Sequence, residues 1–155
     1  MINTKKRPMY ETREQLQSEK AVCTAFCDEF GLTAHKLPIS YGLDYLLTKT
    51  EGQTSGKPVG FLEYKRRSFT TDRWPTVMLS LKKLMAAEQL KQVTGLTSVF
   101  MVQFDDAIGT CDFAKFVGKP ELLEYGGRTT QTRDSGDIEP VVMIPVGDFH
   151  LWGND

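Results

Sequence analysis

The sequence predicts an α/β domain built on a mixed β-sheet, and three observations carry that prediction. The first is an amphipathic helical stretch over residues 13–30. The second is a set of short apolar runs, near 33–39, 43–48 and 58–66, that follow it before any second helical pattern. The third is a helical stretch after Pro75, followed by one more buried run from Thr97 to Phe104. Helix, three strands, helix, strand is an α/β order. At 155 residues, 40% apolar and 25% charged, the chain fits a single domain able to bury about 68–70% of its unfolded surface.

The first helix has both of its ends written in the sequence. Thr12 with Gln15 three residues on fits a capping box, and Gly31 fits the C-terminal stop. Between them Leu16, Cys23, Phe26, Cys27 and Phe30 share one stripe at about 100° per residue. Glu19 falls inside that stripe, whereas Glu11, Glu14, Asp28 and Glu29 point away from it. A carboxylate facing a core costs several kcal/mol, so Glu19 needs a partner, a metal or an aqueous cleft. A rim position paired with Lys20, Lys36 or another cation is the plainer alternative.

Two strands follow, then the turn Thr50 to Lys57, rich in Gly, Ser and Thr as a hairpin loop should be. The third strand is Pro58 to Arg66. Next come a loop from Ser68 to Trp74 and Pro75 at a first helical position. Val77, Leu81, Leu84, Met85 and Leu90 are expected on the apolar face of the second helix, stopped by Gly95. The last third holds Cys111 to Val117, a turn at Gly126-Gly127, and a strand from Pro140 to Val146 with Phe149 and Trp152 beyond. No repeat, low-complexity tract or linker interrupts it.

The chemistry concentrates at Glu63-Tyr64-Lys65, with Asp44 nineteen positions upstream. Strand alternation puts Glu63 and Lys65 on one face, the side expected for Val59 and Phe61. Asp44 opens the apolar run Tyr45-Leu46-Leu47. If the two strands pair, two carboxylates and an ammonium meet at one end of the sheet. Adjacent carboxylates repel unless a cation lies between them, and hard oxygen ligands with open positions suit Mg²⁺. The adjacent lysine can then orient a metal-bound water. That set of groups performs metal-assisted phosphodiester hydrolysis.

Asp44, a gap of eighteen residues, then Glu63-x-Lys65 resembles the signature of the PD-(D/E)XK nuclease superfamily, which includes archaeal-type Holliday junction resolvases. The likeness covers roughly residues 12–104 and departs from the pattern at Leu43, where proline is usual. It implies a restriction-endonuclease-like mixed sheet flanked by helices in a single domain, with residues 1–11 as a flexible tail and 105–155 as a β-rich extension. It also implies a ligand set of Asp44, Glu63 and the main-chain carbonyl of Tyr64, with Glu19 as an outer or second-metal ligand. The metal implied is Mg²⁺, for which Mn²⁺ can substitute. Lys65 would position the attacking water.

Net charge is −1, but it is unevenly spread. Residues 64–91 carry seven basic residues against two acidic ones, whereas residues 105–155 carry four basic against ten acidic. A basic face beside the motif is where a phosphate backbone would lie. Arg66, Arg67, Arg73, Lys82 and Lys83 are the candidate DNA contacts, with at most one of the two adjacent lysines facing the DNA. Trp74 is expected to pack more than to stack on a base, and Gln89 to face solvent. Ser68, Thr70 and Thr71 fit phosphate contact and turn chemistry equally. Arg128 and Arg133 fit an arm on DNA or a solvated hairpin.

Several classes are excluded. No run reaches the ~18 apolar residues of a membrane span, and Met1 to Arg7 lacks the apolar segment of a secretory signal. Three cysteines without a disulfide framework favour a reducing cytoplasm, and the resemblance implies that of a bacterial or phage-infected cell. Cys23 and Cys27 lie one helical turn apart, but with only His35 and His150 elsewhere they are expected in the core. The expectation is a Mg²⁺-dependent DNA nuclease directed by DNA structure or ends, of the recombination and repair type found in phages and mobile elements. Two alternatives stand beside it: a restriction-type endonuclease reading sequence as a homodimer, and a binding protein on the same fold without catalysis.

Overall fold

The computed structural model describes residues 13–127 and 138–153. The tail at 1–11, Thr12 of the expected capping box, and Arg128 and Arg133 lie outside the described residues. The first helix, α1 (Arg13–Glu29), is followed by three strands, β1 (Leu32–Lys36), β2 (Tyr45–Lys49) and β3 (Pro58–Arg66). β4 (Thr76–Ser80) leads straight into α2 (Leu81–Thr94), and β5 (Ser98–Gln103), β6 (Ala107–Asp112), β7 (Leu123–Gly127), β8 (Ile138–Pro145) and β9 (His150–Gly153) complete the fold. Six strands form a mixed sheet in the order β1-β2-β3-β5-β6-β9, and three form a small sheet, β4-β8-β7.

The meander β1-β2-β3 is antiparallel, whereas β3 and β5 run parallel. A parallel neighbour needs a crossover, and β4 with α2 supplies it. β5 is therefore central, and its alternating residues bury on both faces as such a strand requires. Met101 packs with Cys23, Cys27, Tyr45, Leu47, Leu62 and Tyr64 under α1. Phe100 and Val102 pack with Leu43, Phe61, Val77, Leu79 and Ala87 on the opposite face. Cys23 and Cys27 are core residues, 0% and 2% exposed. Residues beyond 104 add β6 and β9 to the main sheet and β7 and β8 to the small one.

Several local expectations are corrected. Val77 and Leu79, both 1% exposed, alternate with half-buried Thr76, Met78 and Ser80, which is a period of two. This segment is thus strand β4, and the main-chain carbonyl of Pro75 accepts from the Val146 amide at 2.9 Å. Ser80 caps α2 by accepting from the Lys82 amide, so the helix starts at Leu81. Met85 is 61% exposed, since the buried side of α2 follows Ala87. Phe30 ends the α1 stripe half-exposed. Gly126 and Gly127 pair with Glu139 and Ile138 in the β7–β8 ladder and form no turn at that point. The first strand stops at Lys36, because Pro38 begins a 3₁₀ turn over Ile39–Tyr41.

One irregularity orients the site. β2 and β3 slip register between Leu47 and Thr48, which leaves Val59 as an extra residue. Val59 accordingly packs on the α1 side, while Phe61 packs on the α2 side. Past the bulge the alternation is regular, and Glu63 and Lys65 share the face of Phe61 but not of Val59.

Candidate active site

Tyr45 pairs with Leu62, and the register continued by one residue sets Asp44 opposite Glu63. Asp44 does not continue the ladder with its backbone alone. Its carboxylate Oδ2 accepts from the Tyr64 amide at 2.9 Å, and its main-chain carbonyl accepts from the Leu37 amide at 2.8 Å. A strand residue turns its N–H and C=O to the same neighbour. The Tyr64 carbonyl therefore faces the same edge, beyond the first residue of β2.

Glu63 is 0% exposed. Lys83 Nζ from α2 lies 3.1 Å from its Oε1, and Lys65 Nζ lies 3.6 Å from the same oxygen. Both contacts are ion pairs on one oxygen, and no neutral donor reaches either Glu63 oxygen among the described residues. Burial, followed by the charge of Asp44, pushes the Glu63 carboxyl up to about 7 against the opposing pull of Lys83 and Lys65. An ionised carboxylate in that state is short of cation.

The third acidic group lies on the α1 side. Glu19 is 5% exposed, bonded by the Tyr45 hydroxyl and by Lys36 Nζ at 3.0 Å. Lys36 Nζ also sits 3.3 Å from Asp44 Oδ1 and 4.9 Å from the centre of the Tyr45 ring. Glu19 and Asp44 are thus no further apart than these two contacts laid end to end. The pairing with Lys36 and the proximity to Asp44 are both present.

The basic residues divide into two groups. Arg73 and Lys82 are exposed, as is Arg66, which pairs with Asp105. Arg67 turns inward and donates to the Met78 carbonyl at 2.8 Å. Lys83 turns to Glu63 and is only 27% exposed, so it presents little to a ligand outside. Trp74 is half-exposed instead of packed, and the Arg73 guanidinium lies over its ring at 4.2 Å. Thr70 bonds Asp72 and Thr71 bonds Asp106, which is loop chemistry. Gln89 faces solvent.

The donor set suits a hard divalent cation. Two carboxylates, one of them buried without a neutral donor, stand at the sheet end with a main-chain carbonyl facing the same edge. Among the described residues no three His, Cys, Asp or Glu side chains converge into a ready cage, so a cation there would keep water ligands. Two residues of the site lay beyond motif reading. Lys36 appears in the sequence only as one cation among several, and Lys83 only as part of a basic pair. Lys82 and Lys83 both stand in the first turn of α2, where the macrodipole opposes a cation, so no local sign distinguishes the lysine that the fold holds.

A family model described as "Phage putative PDDEXK endonuclease" matches residues 5–151. Among curated proteins, none matches the sequence. Among solved structures, the chain is similar to Hjc of Archaeoglobus fulgidus, a Holliday junction resolvase from an archaeal hyperthermophile. The TM-score is 0.52 at 12% identity, covering 86% of this chain and 85% of that one. At that identity the likeness is one of fold.

Proposed function

Since the chain belongs to the phage PDDEXK endonuclease family, we propose that it is a divalent-metal-dependent nuclease that hydrolyses DNA phosphodiester bonds at branched or broken DNA. The observation that carries the metal is Glu63, a wholly buried carboxylate whose oxygens meet only Lys83 and Lys65 among the described residues, beside Asp44. Asp44, Glu63 and the Tyr64 carbonyl would hold Mg²⁺ or Mn²⁺, with Glu19 as an outer ligand. A divalent cation bound there acidifies a coordinated water and offsets charge on the phosphate.

The chain's own groups do the rest. Lys65 has the more exposed of the two ammonium groups at Glu63, 36% against 27%. It is the one able to reach a phosphate and stabilise the negative charge that develops in the transition state. The Asp44 carboxylate holds the Tyr64 amide, which fixes the carbonyl beside it. Arg66, Arg73 and Lys82 would carry the flanking phosphates.

A structure-directed nuclease of this kind fits DNA recombination or repair in the cytoplasm of a phage-infected cell. The resolvase likeness makes a four-way junction the first substrate to try, with a homodimer as the form that would cut it symmetrically.

The test is cleavage of linear, circular, flapped, single-stranded and four-way DNA with and without Mg²⁺ or Mn²⁺, using wild type, Asp44→Asn and Glu63→Gln. Cleavage only with metal, lost in both variants, is the expected result. Metal-independent binding without cleavage of any substrate would favour the non-catalytic alternative.

A further inference from the structure

Lys83 has an environment that neither a DNA contact nor helix stability accounts for. It stands in the first turn of α2, where the macrodipole disfavours a cation. Its neighbour Lys82 is exposed, while Lys83, about 100° further round the helix, is turned into the fold. Two partners from two other elements hold its ammonium. One is Glu63 Oε1 on β3 at 3.1 Å. The other is the Gly42 carbonyl, which accepts from it at 2.8 Å.

Gly42 lies two residues before Asp44 and closes the Ile39–Tyr41 turn in the left-handed conformation, φ 81°. A Cβ at Gly42 would come within 2.7 Å of Ala86 Cβ, so the turn is seated directly on α2. Lys83 and Ala86 are one helical step of three apart and lie on the same side. The helix therefore grips the Asp44-bearing turn at two points, and one of them also reaches Glu63. Lys65 differs, since it approaches Glu63 from the same strand, makes no second ion pair or hydrogen bond among the described residues and is more exposed.

We propose that Lys83 is a positioning residue that orients the Glu63 carboxylate and seats the turn carrying Asp44, leaving Lys65 for the substrate phosphate. The positioning part stands on the contacts alone, and the assignment of Lys65 rests on the nuclease reading above.

The experiment uses the full chain with Lys83→Met, Lys83→Arg and Lys65→Met. Hydrogen exchange is read at the Gly42 amide, which bonds Ile39, and at the Tyr64 amide, which bonds Asp44 Oδ2. Losing a hydrogen bond from a charged donor is worth roughly tenfold or more, so both amides should exchange about tenfold faster in Lys83→Met. Lys65→Met should leave them protected, and Lys83→Arg should restore them. In EDTA, the salt dependence of DNA binding should be the same for Lys83→Met as for wild type. A phosphate contact would instead lower the slope by about 0.9. With Mg²⁺, Lys83→Met should lower kcat with KM unchanged.

Unchanged exchange at both amides overturns the proposal, as does a lowered salt slope with exchange intact. Should Lys83→Met fail to fold, the double variant Lys83→Met/Glu63→Gln removes both charges and carries the same exchange measurement. If the wild type cuts no DNA, the nuclease reading falls, while the exchange result still decides the role of Lys83.

Discussion

Replacing Glu63 with glutamine in the absence of divalent cations should make the protein more stable at alkaline pH. Desolvation, then the Asp44 charge, moves the Glu63 carboxyl from 4.5 to about 7 even with Lys83 and Lys65 beside it. Each pH unit of displacement corresponds to 1.36 kcal/mol. The ionised form is therefore about 3 kcal/mol less favourable in the folded chain than in the unfolded one. The folded state holds this proton more tightly than the unfolded state. The contribution of Glu63 to stability is accordingly greatest below pH 4.5, is lost as pH rises toward 7, and stays absent above it. Glutamine mimics the protonated form at every pH.

Against this stands the loss of attraction to Lys83. Removing one partner of a fully buried pair costs about 3–5 kcal/mol because the other charge is stranded. Lys83 is not stranded, since it is 27% exposed and keeps the Gly42 carbonyl, so the desolvation effect should win. Thermal unfolding followed by circular dichroism in EDTA should show Glu63→Gln about 3 kcal/mol more stable at pH 8, which is about 6–12 °C for a domain of this size. At pH 5 the two proteins should agree within about 1 kcal/mol. Mg²⁺ at 100 times its Kd should restore about 2.7 kcal/mol to the wild type and nothing to the variant. A variant less stable than wild type at pH 8 would refute the reasoning, because it would mean that Glu63 is a satisfied ion-pair member with no call for a metal.

Asp44→Asn can keep the bond to the Tyr64 amide through its remaining oxygen and loses only the part-exposed pair with Lys36, so stability should fall by no more than about 1 kcal/mol while Mg²⁺-dependent stabilisation disappears; retained stabilisation by Mg²⁺ would remove Asp44 from the ligand set. Lys65→Ala should slow single-turnover cleavage by roughly 10²-fold, the scale of one preorganised donor, and an unchanged rate with weaker DNA binding would make it a phosphate contact. Neutralising Arg66, Arg73 and Lys82 together should lower the salt slope by about 0.9 for each phosphate that they neutralise in the wild type, which a titration in KCl reads directly. Glu19→Gln leaves Lys36 paired with Asp44 alone and should raise the Mg²⁺ concentration needed for half-maximal cleavage; an unaltered requirement would confine Glu19 to anchoring Lys36.

What the sequence made legible about the fold depended on how local the cause was. α1, the β3 strand and the Gly95 stop are visible because periodicity, caps and a left-handed glycine act within a few residues. The segment after Pro75 is ambiguous in the sequence because Val77, Leu81 and Leu84 fit a helix, whereas Val77 and Leu79 fit a strand. Only pairing with β8, more than sixty residues later, decides in favour of the strand. The exposure of Trp74 and Met85 has the same origin, since which side of an element meets another is a tertiary fact. The Val59 bulge shifted one residue to the other face, a change that alternation alone cannot signal.

The site divides along the same line. Glu63 and Lys65 share a strand face, so spacing alone joins them, and Asp44 follows from the hairpin register. Lys36 on β1 and Lys83 on α2 belong to the site only because β1 ends beside α1 and α2 crosses over β3. Their presence changes its electrostatics. Glu19, Asp44 and Glu63 are matched by Lys36, Lys65 and Lys83, each in contact with at least one carboxylate, and the formal charges cancel. Three carboxylates alone at a sheet end would repel both each other and a phosphate backbone. With all three carboxylates ionised the lysines make the site neutral, and a bound divalent cation would make it positive. Attraction for DNA at the point of cleavage would then rise only once the metal is in place. Lys36 and Lys83, the two lysines that motif reading passes over, set that balance, and in the nuclease reading the exposed arginines would set only the approach.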